Sequence, residues 1–247
     1  MKKEVAIVHY NTPELTEALV KSIRKHGGEE YHVTIFDNSD ERPFKRRMKG
    51  VKVVDNTQGQ VVDFEAELAK FPDKQEHVRK SSNFASTKHQ LSVQKLFELL
   101  PQGFVLVDSD VLIRKNIDFL WDEQYAAVGA VQRKQPSYKV EINRLLPMLC
   151  YLNVPLLTAN GAKYFDPART FGLLAGEMNR CNWYDTGAVV LEDIRRTKPQ
   201  LVALVYASLN DCYVHYVHGS WKGNDVEAQK KWLEEHRELW DRQAGKP

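Results

Sequence analysis

Asp108-Ser109-Asp110 sets two carboxylates one residue apart, directly after the apolar run Phe104-Val105-Leu106-Val107. That run is short, β-branched and aromatic, which predicts a buried strand. Carboxylates at a strand's end are hard oxygen ligands, suited to hold a divalent cation against a diphosphate. The ligand would lie at the carboxyl edge of the sheet, where open α/β folds bind theirs. The chemistry these residues imply is that of an enzyme acting on nucleotide-diphosphate substrates.

Such a pair works only if the chain delivers it to a shared edge. Val5-Ala6-Ile7-Val8 reads as a first strand. Thr12 is a good N-cap, Pro13 fits the first helical position, and Leu15, Leu19 and Ile23 recur at helical spacing until Gly27 stops the helix. His32-Val33-Thr34-Ile35-Phe36 is a second strand ending in Asp37-Asn38-Ser39. This β-α-β unit predicts two parallel strands. Val51–Val54 reads as a third strand, and Val61, Phe64, Leu68 and Phe71 mark a helix after it. Val93, Leu96, Phe97 and Leu100 mark another helix, closed by Pro101 and Gly103, that leads into the aspartate pair. The alternation predicts a mostly parallel, doubly wound sheet.

The second half is less regular. Ala126–Val131, Gly187–Leu191 and Tyr213–Val217 read as strands, and Ile142–Leu149 and Leu201–Leu209 as helices. The tail from Val226 to Arg242 is charge-rich and helical, with Trp232, Leu233 and Trp240 as its apolar contacts. No internal repeat or Gly/Ser-rich linker interrupts the chain, so a single domain is expected over 1–247.

The 247 residues are 28% charged and 43% apolar, the profile of an ordinary globule. A net charge of +2 argues against a dedicated nucleic-acid binder. No apolar run approaches the roughly 20 residues of a membrane span, and no secretory signal is readable. Cys150, Cys181 and Cys212 are odd in number and far apart, which indicates neither a disulfide framework nor a thiolate zinc site. A reducing cytoplasm is the expected compartment. The basic run Arg42–Lys49 is a solvated loop or a contact for anionic lipid or an anionic acceptor.

The opening Val5-Ala6-Ile7-Val8-His9-Tyr10-Asn11-Thr12-Pro13-Glu14-Leu15, the strand Ile35-Phe36-Asp37-Asn38-Ser39 and Asp108-Ser109-Asp110 together resemble a family 2-type glycosyltransferase of the GT-A fold. The resemblance is fuller through about residue 120 than beyond. It implies a mostly parallel twisted sheet with helices on both faces: a nucleotide-binding half to about 120, a donor- and acceptor-binding half over about 121–224, and a C-terminal helix over about 225–243. It also implies site roles. Tyr10, Asn11 and Thr12 would line the base and ribose pocket, and Asp37 would accept from the nucleobase, most simply the uracil N–H. Asp37-Asn38-Ser39 is equally good turn chemistry. Asp108, beside Ser109, would face the ribose or the metal, and Asp110 would be the firmest metal ligand. Lys88 or His89 would reach the diphosphate, or remain solvated at a helix start.

Late in such enzymes a histidine joins the same cation, followed by a Gly-rich loop. Val214-His215-Tyr216-Val217-His218-Gly219-Ser220-Trp221-Lys222-Gly223 resembles that ending. His215 and His218 are three apart, so on a strand they face opposite ways and one of them would bind metal, His215 by preference. An imidazole suits Mn2+ better than Mg2+. Gly219 would let backbone N–H groups approach phosphate oxygens, and Lys222 would add a point charge. Asp185, in Asn182-Trp183-Tyr184-Asp185-Thr186-Gly187, resembles a sugar-binding carboxylate or, in an inverting enzyme, the general base, with Glu177 and Asp193 as rivals. Asp185-Thr186-Gly187 is also a plain turn before a strand.

Two departures stand out. No acidic base motif of inverting members is readable, and the Gly-rich stretch expected before the metal motif is replaced by Ser81-Ser82-Asn83-Phe84-Ala85-Ser86. The implied activity is sugar transfer from a nucleotide diphosphate, UDP-linked for preference, to a hydroxyl of a saccharide or lipid-linked saccharide, as in bacterial surface-polysaccharide synthesis. Peripheral contact with the inner face of a membrane fits it. The rivals are a nucleotidyltransferase, disfavoured because Tyr10-Asn11-Thr12-Pro13 has neither Gly nor Lys to cradle a triphosphate, a nucleotide-sugar-binding protein without turnover, and a plain structural α/β domain with Asp108 and Asp110 as loop carboxylates.

Overall fold

The computed structural model describes residues 3–27, 30–80, 83–132, 144–172, 184–216 and 225–242. The first half alternates as its periodicity dictates: β1 (Lys3–His9), α1 (Pro13–Gly27), β2 (Tyr31–Asp37), β3 (Val51–Asp55), α2 (Phe64–Ala69), α3 (Gln75–Lys80), α4 (Asn83–Leu99), β4 (Phe104–Asp108) and β5 (Val111–Ile113). Then come β6 (Ala127–Gly129), β7 (Val131–Gln132), β8 (Arg144–Leu145), β9 (Leu149–Leu152), α5 (Val154–Ala159), α6 (Pro167–Gly172), α7 (Ala188–Thr197), β10 (Val202–Leu204), α8 (Tyr206–Asn210), β11 (Tyr213–His215), α9 (Val226–Glu235) and α10 (Arg237–Trp240).

Seven strands form the central sheet in the order β10-β6-β9-β4-β1-β2-β3. β3, β2, β1 and β4 run parallel, β9 is antiparallel to both β4 and β6, and β10 is parallel to β6. The parallel register aligns the strand ends: His9 pairs with Asp37, Asp37 with Asp55, and Val8 with Asp108. One carboxyl edge therefore presents all of these residues.

The sheet is buried on both faces, and the alternation of β1 sorts its layers. Val5 and Ile7 pack in a core with Leu15, Leu19 and Ile23 of α1, Leu233 of α9 and Leu239 of α10. Ala6 and Val8 face Val93, Leu96 and Phe97 of α4, Leu157 of α5 and Val190, Leu191 and Ile194 of α7. Each fully buried aliphatic side chain of this kind contributes about 1.5–3 kcal/mol. Helices on both faces of a mostly parallel sheet match the expected architecture. Among the described residues no helix is long and apolar enough to cross a membrane.

Three expectations for the second half are corrected. Gly187–Leu191 is not a strand: Gly187 adopts φ +82° and α7 starts at Ala188. The run Ala188-Val189-Val190-Leu191 resembles a buried strand when read alone, but Ile194 completes a helical stripe. Leu201–Leu209 is not one helix but the edge strand β10 followed by the short α8. Within Ile142–Leu149 the described residues form strand β8 and the start of β9, whose buried Leu149-Cys150-Tyr151-Leu152 fills the gap between β4 and β6.

Candidate active site

β4 ends at Asp108, and the chain turns at once into β5, which leaves the central sheet. β5 pairs antiparallel with β11, placing Val111 opposite His215. The Tyr216 N–H donates to the Asp110 carbonyl at 2.8 Å. This two-stranded ribbon brings His215 Nε2 to 3.3 Å from Asp110 Oδ1, and Asp110 is only 3% exposed. Burial lowers the pKa of His215, but the hydrogen bond and charge of Asp110, with the charge of Asp108, outweigh it and hold the imidazole above its ordinary value. The hydroxyls of Ser109 and Thr12 lie 3.3 Å apart. The Thr12 carbonyl accepts from the Thr16 N–H, which opens α1. The positive end of α1 is thereby set beside the aspartate turn.

The Tyr10–Thr12 turn closes on the loop after β2. Asn11 is the described non-glycine residue with positive φ, at 55°, a conformation asparagine tolerates. Its Oδ1 accepts from the N–H groups of Glu41 and Arg42, and its Nδ2 donates to Asp40 at 2.5 Å. The Tyr10 hydroxyl donates to the other Asp40 oxygen at 2.8 Å. Desolvation and that carboxylate push the phenol up to about 12. Partial burial raises Asp40, yet the bonds from Asn11 and Tyr10 prevail and hold it below the usual carboxylate range. Lys88 Nζ sits 5.8 Å from the Tyr10 ring centroid. A cleft of about 170 Å³ opens here, lined by Asn38, Asp40, Thr57, Phe64, Lys88 and Ser92 among others. A larger cleft of about 560 Å³, between α1, Met48–Gly50 and Trp240–Arg242, holds none of the expected site residues.

Asp37 lies at the same edge but turns inward. It is 2% exposed, and its oxygens accept from the N–H groups of Ser39 at 3.0 Å and Phe44 at 2.6 Å. His9 Nε2 stands 3.9 Å from it. Burial holds His9 below its ordinary pKa despite the charge of Asp37.

The turn before α7 docks on α4, whose residues 86, 89 and 90 share a face by helical spacing. Ser86 Oγ donates to Asp185 Oδ1 at 2.7 Å, and Gln90 Nε2 donates to the Tyr184 carbonyl at 3.0 Å. Arg144 Nη1 donates to Asp185 Oδ2 at 2.6 Å. Thr186 Oγ1 is 2.9 Å from His89 Nδ1, and His89 Nε2 is 3.4 Å from Asp108 Oδ1. Gly187 is required in the turn, since an added Cβ would lie 2.0 Å from the Leu145 carbonyl oxygen. Asp193 is drawn elsewhere: Arg169 binds it at 2.6 and 3.0 Å and also holds Glu192.

The edge thus brings together Tyr10, Asn11, Thr12, Lys88, Asp108, Ser109, Asp110 and His215, with Asp185 joined through α4. Glu177, Trp183, His218, Gly219 and Lys222 lie outside the described residues. Sequence reasoning missed Asp40, Ser86 and Arg144. Only Ser86 left a signal, its i, i+3, i+4 grouping with His89 and Gln90 on one helix face.

Among the described residues no three His, Cys, Asp or Glu side chains gather as a ready-made metal centre. The donors instead form two pairs, Asp110 with His215 and Asp108 with His89. That donor set fits a divalent ion held by one or two carboxylates plus phosphate oxygens, rather than by an all-protein cage. The enclosed Nε2 of His89, which has no partner of good hydrogen-bond geometry, marks the same spot as one built for polar occupancy.

No protein-family model matches the sequence, and no curated protein matches it. Solved structures do. The galactosyltransferase LgtC in complex with donor and acceptor sugar analogs aligns over 82% of this chain and 73% of its own, at 12% identity and TM-score 0.50. An active-site mutant of LgtC aligns over 82% and 72%, at 15% identity and TM-score 0.51. Core-mannan synthase A from Aspergillus fumigatus, in its Mn/GDP form, aligns over 87% and 75%, at 8% identity and TM-score 0.49. The chain has the GT-A fold.

Proposed function

We propose that the protein is a metal-dependent glycosyltransferase that moves a sugar from a nucleotide diphosphate, UDP-linked for preference, to a hydroxyl of a saccharide or lipid-linked saccharide. One observation carries the reading. Asp108-Ser109-Asp110, His215 and the first turn of α1 converge on the carboxyl edge of a GT-A sheet.

Asp110, Asp108 and His215 would hold Mn2+ or Mg2+, with His215 favouring Mn2+. When bound, such a cation neutralises the charge that grows on the leaving diphosphate. The chain's own residues do the rest. The N-terminal turn of α1 presents unpaired N–H groups to phosphate oxygens. Asp40 and Lys88 line the cleft that takes the nucleoside, and Tyr10 touches both of them from beside it. Asp185, oriented by Arg144 and Ser86, receives hydroxyls of the transferred sugar or acceptor and fixes their approach. By the resemblance, Gly219 and Lys222 would cover the diphosphate, and His218 is the alternative to His215 on the cation. Assembly of a surface polysaccharide at the inner face of a membrane is the setting this resemblance favours.

A thermal-shift panel of nucleoside diphosphates and nucleotide sugars, with and without Mn2+, tests the reading. UDP or a UDP-sugar with Mn2+ should raise the Tm, and Asp110→Ala or His215→Ala should abolish the rise without lowering the basal Tm. Variants that respond like the parent would refute the site. Binding without turnover, across a panel of acceptors, would leave a nucleotide-sugar-binding protein.

A further inference from the structure

We propose that a buried chain of hydrogen bonds, Tyr164–Thr186–His89, fixes the imidazole of His89 with its proton on Nε2, so that it steers Asp108. The proposal rests on the glycosyltransferase reading for what Asp108 does, but the chain itself is argued from donors and acceptors alone.

The accounting starts at the buried end. Tyr164 is fully enclosed, and its hydroxyl lies 3.2 Å from Thr186 Oγ1. A phenol keeps its proton near neutral pH and must donate it when buried. Burial, the largest influence on this one, pushes its pKa further up. Thr186 Oγ1 is therefore the acceptor. Its own proton then goes to its other neighbour, His89 Nδ1, at 2.9 Å. Were Nδ1 to donate instead, Thr186 Oγ1 would accept twice and its proton would have no acceptor in the chain. An imidazole that accepts at Nδ1 carries its proton on Nε2. That atom is enclosed and stands 3.4 Å from Asp108 Oδ1. A contraction of a few tenths of an ångström completes the bond, as catalytic contacts often tighten only when ligand is present.

His89 is thus a positioning residue. Once that bond is made it would hold one oxygen of Asp108 and leave the other for a cation or ribose, as outer partners of metal-binding carboxylates do. The chain also ties α4 of the first half to the turn before α7 in the second.

Two measurements test this. In protein labelled with 15N-histidine, ligand-free, the His89 resonances, assigned by their loss in His89→Gln, should show protonated Nε2 and bare Nδ1. In Thr186→Val that preference should be lost. A proton on Nδ1 in the parent, or an unchanged tautomer in Thr186→Val, overturns the chain, whatever the protein binds. The second measurement is the Mn2+ concentration that half-saturates the UDP response. His89→Leu should raise it about 10-fold, the lower end of the usual cost of losing an outer partner. His89→Gln, whose amide nitrogen reaches the place of Nε2, should recover most of the loss. Equal Mn2+ dependence in parent and His89→Leu refutes the role. A parent with no Mn2+-dependent UDP response refutes the glycosyltransferase reading and leaves the NMR result to decide the chain.

Discussion

Asp37 and Asp108 end neighbouring parallel strands on the two sides of β1, at one edge of one sheet. Their fates differ. Asp37 is buried, and each of its oxygens accepts from an N–H group of its own loop, those of Ser39 and Phe44. Asp108 and its partner Asp110 instead meet imidazoles from distant elements, His89 on α4 and His215 on β11. The lesson is that a strand-end position does not by itself decide what a carboxylate meets. What decides is whether the following turn folds back to supply N–H donors or leads away, as Asp108-Ser109-Asp110 does into β5. In the first corner the exposed acid is Asp40, held by Tyr10 and Asn11.

This contrast can be broken by substitution. The largest effect should come from Asp110→Ala: sugar transfer falls about 10³-fold, roughly 4 kcal/mol of transition-state stabilisation, with an unchanged urea midpoint. An unfolding midpoint that drops instead would give Asp110 a structural role. Asp37→Ala should do the opposite, costing about 3 kcal/mol of folding stability in urea melts by stranding two buried N–H donors. Its folded fraction should still respond to UDP and Mn2+, and loss of that response at parental stability would assign Asp37 to the nucleobase after all. Thr12→Val sharpens the contrast at smaller scale. Removing the hydroxyl beside Ser109 should raise the half-saturating UDP concentration about 10-fold, near 1.4 kcal/mol, as read by titration calorimetry.

The smallest effect concerns pH. His9 is buried, and its folded pKa lies below the ordinary 6.5. The unfolded chain therefore binds the proton first. Stability from the neutral imidazole is complete above pH 6.5 and declines as pH falls from there towards the folded pKa. His9→Asn should flatten that part of a stability-versus-pH curve. An equal slope in the variant would point to other groups, among them His26, which burial also holds low.

Much of the first half was legible because each element carries its own periodicity. Leu15, Leu19 and Ile23 announce α1, and Val93, Leu96 and Leu100 announce α4. The second half hid its structure for physical reasons. Val189-Val190-Leu191 is β-branched and apolar in either state, and the signs of a helix lie outside it, in Gly187's left-handed backbone and in Ile194. β9 is an antiparallel strand whose neighbours come from far along the chain, so no local signal reports it. At the candidate site, the resemblance expected the aspartate pair and His215 near one another, and His215 does lie beside Asp110. The docking of Asp185 on Ser86 and Arg144, and of Thr186 on His89, could not be foreseen, since those contacts join positions 41 to 100 residues apart.

The β5–β11 ribbon has a consequence for synthesis. Asp110 leaves the ribosome about 105 residues before His215, a delay of roughly 5–20 s at ordinary elongation rates. During that interval the parallel strands β1 to β4 can pair, yet the Asp110–His215 pair is half built. A nascent chain arrested ahead of Tyr213 should accordingly show no Mn2+-dependent UDP capture, so that competence switches on only once β11 has been made.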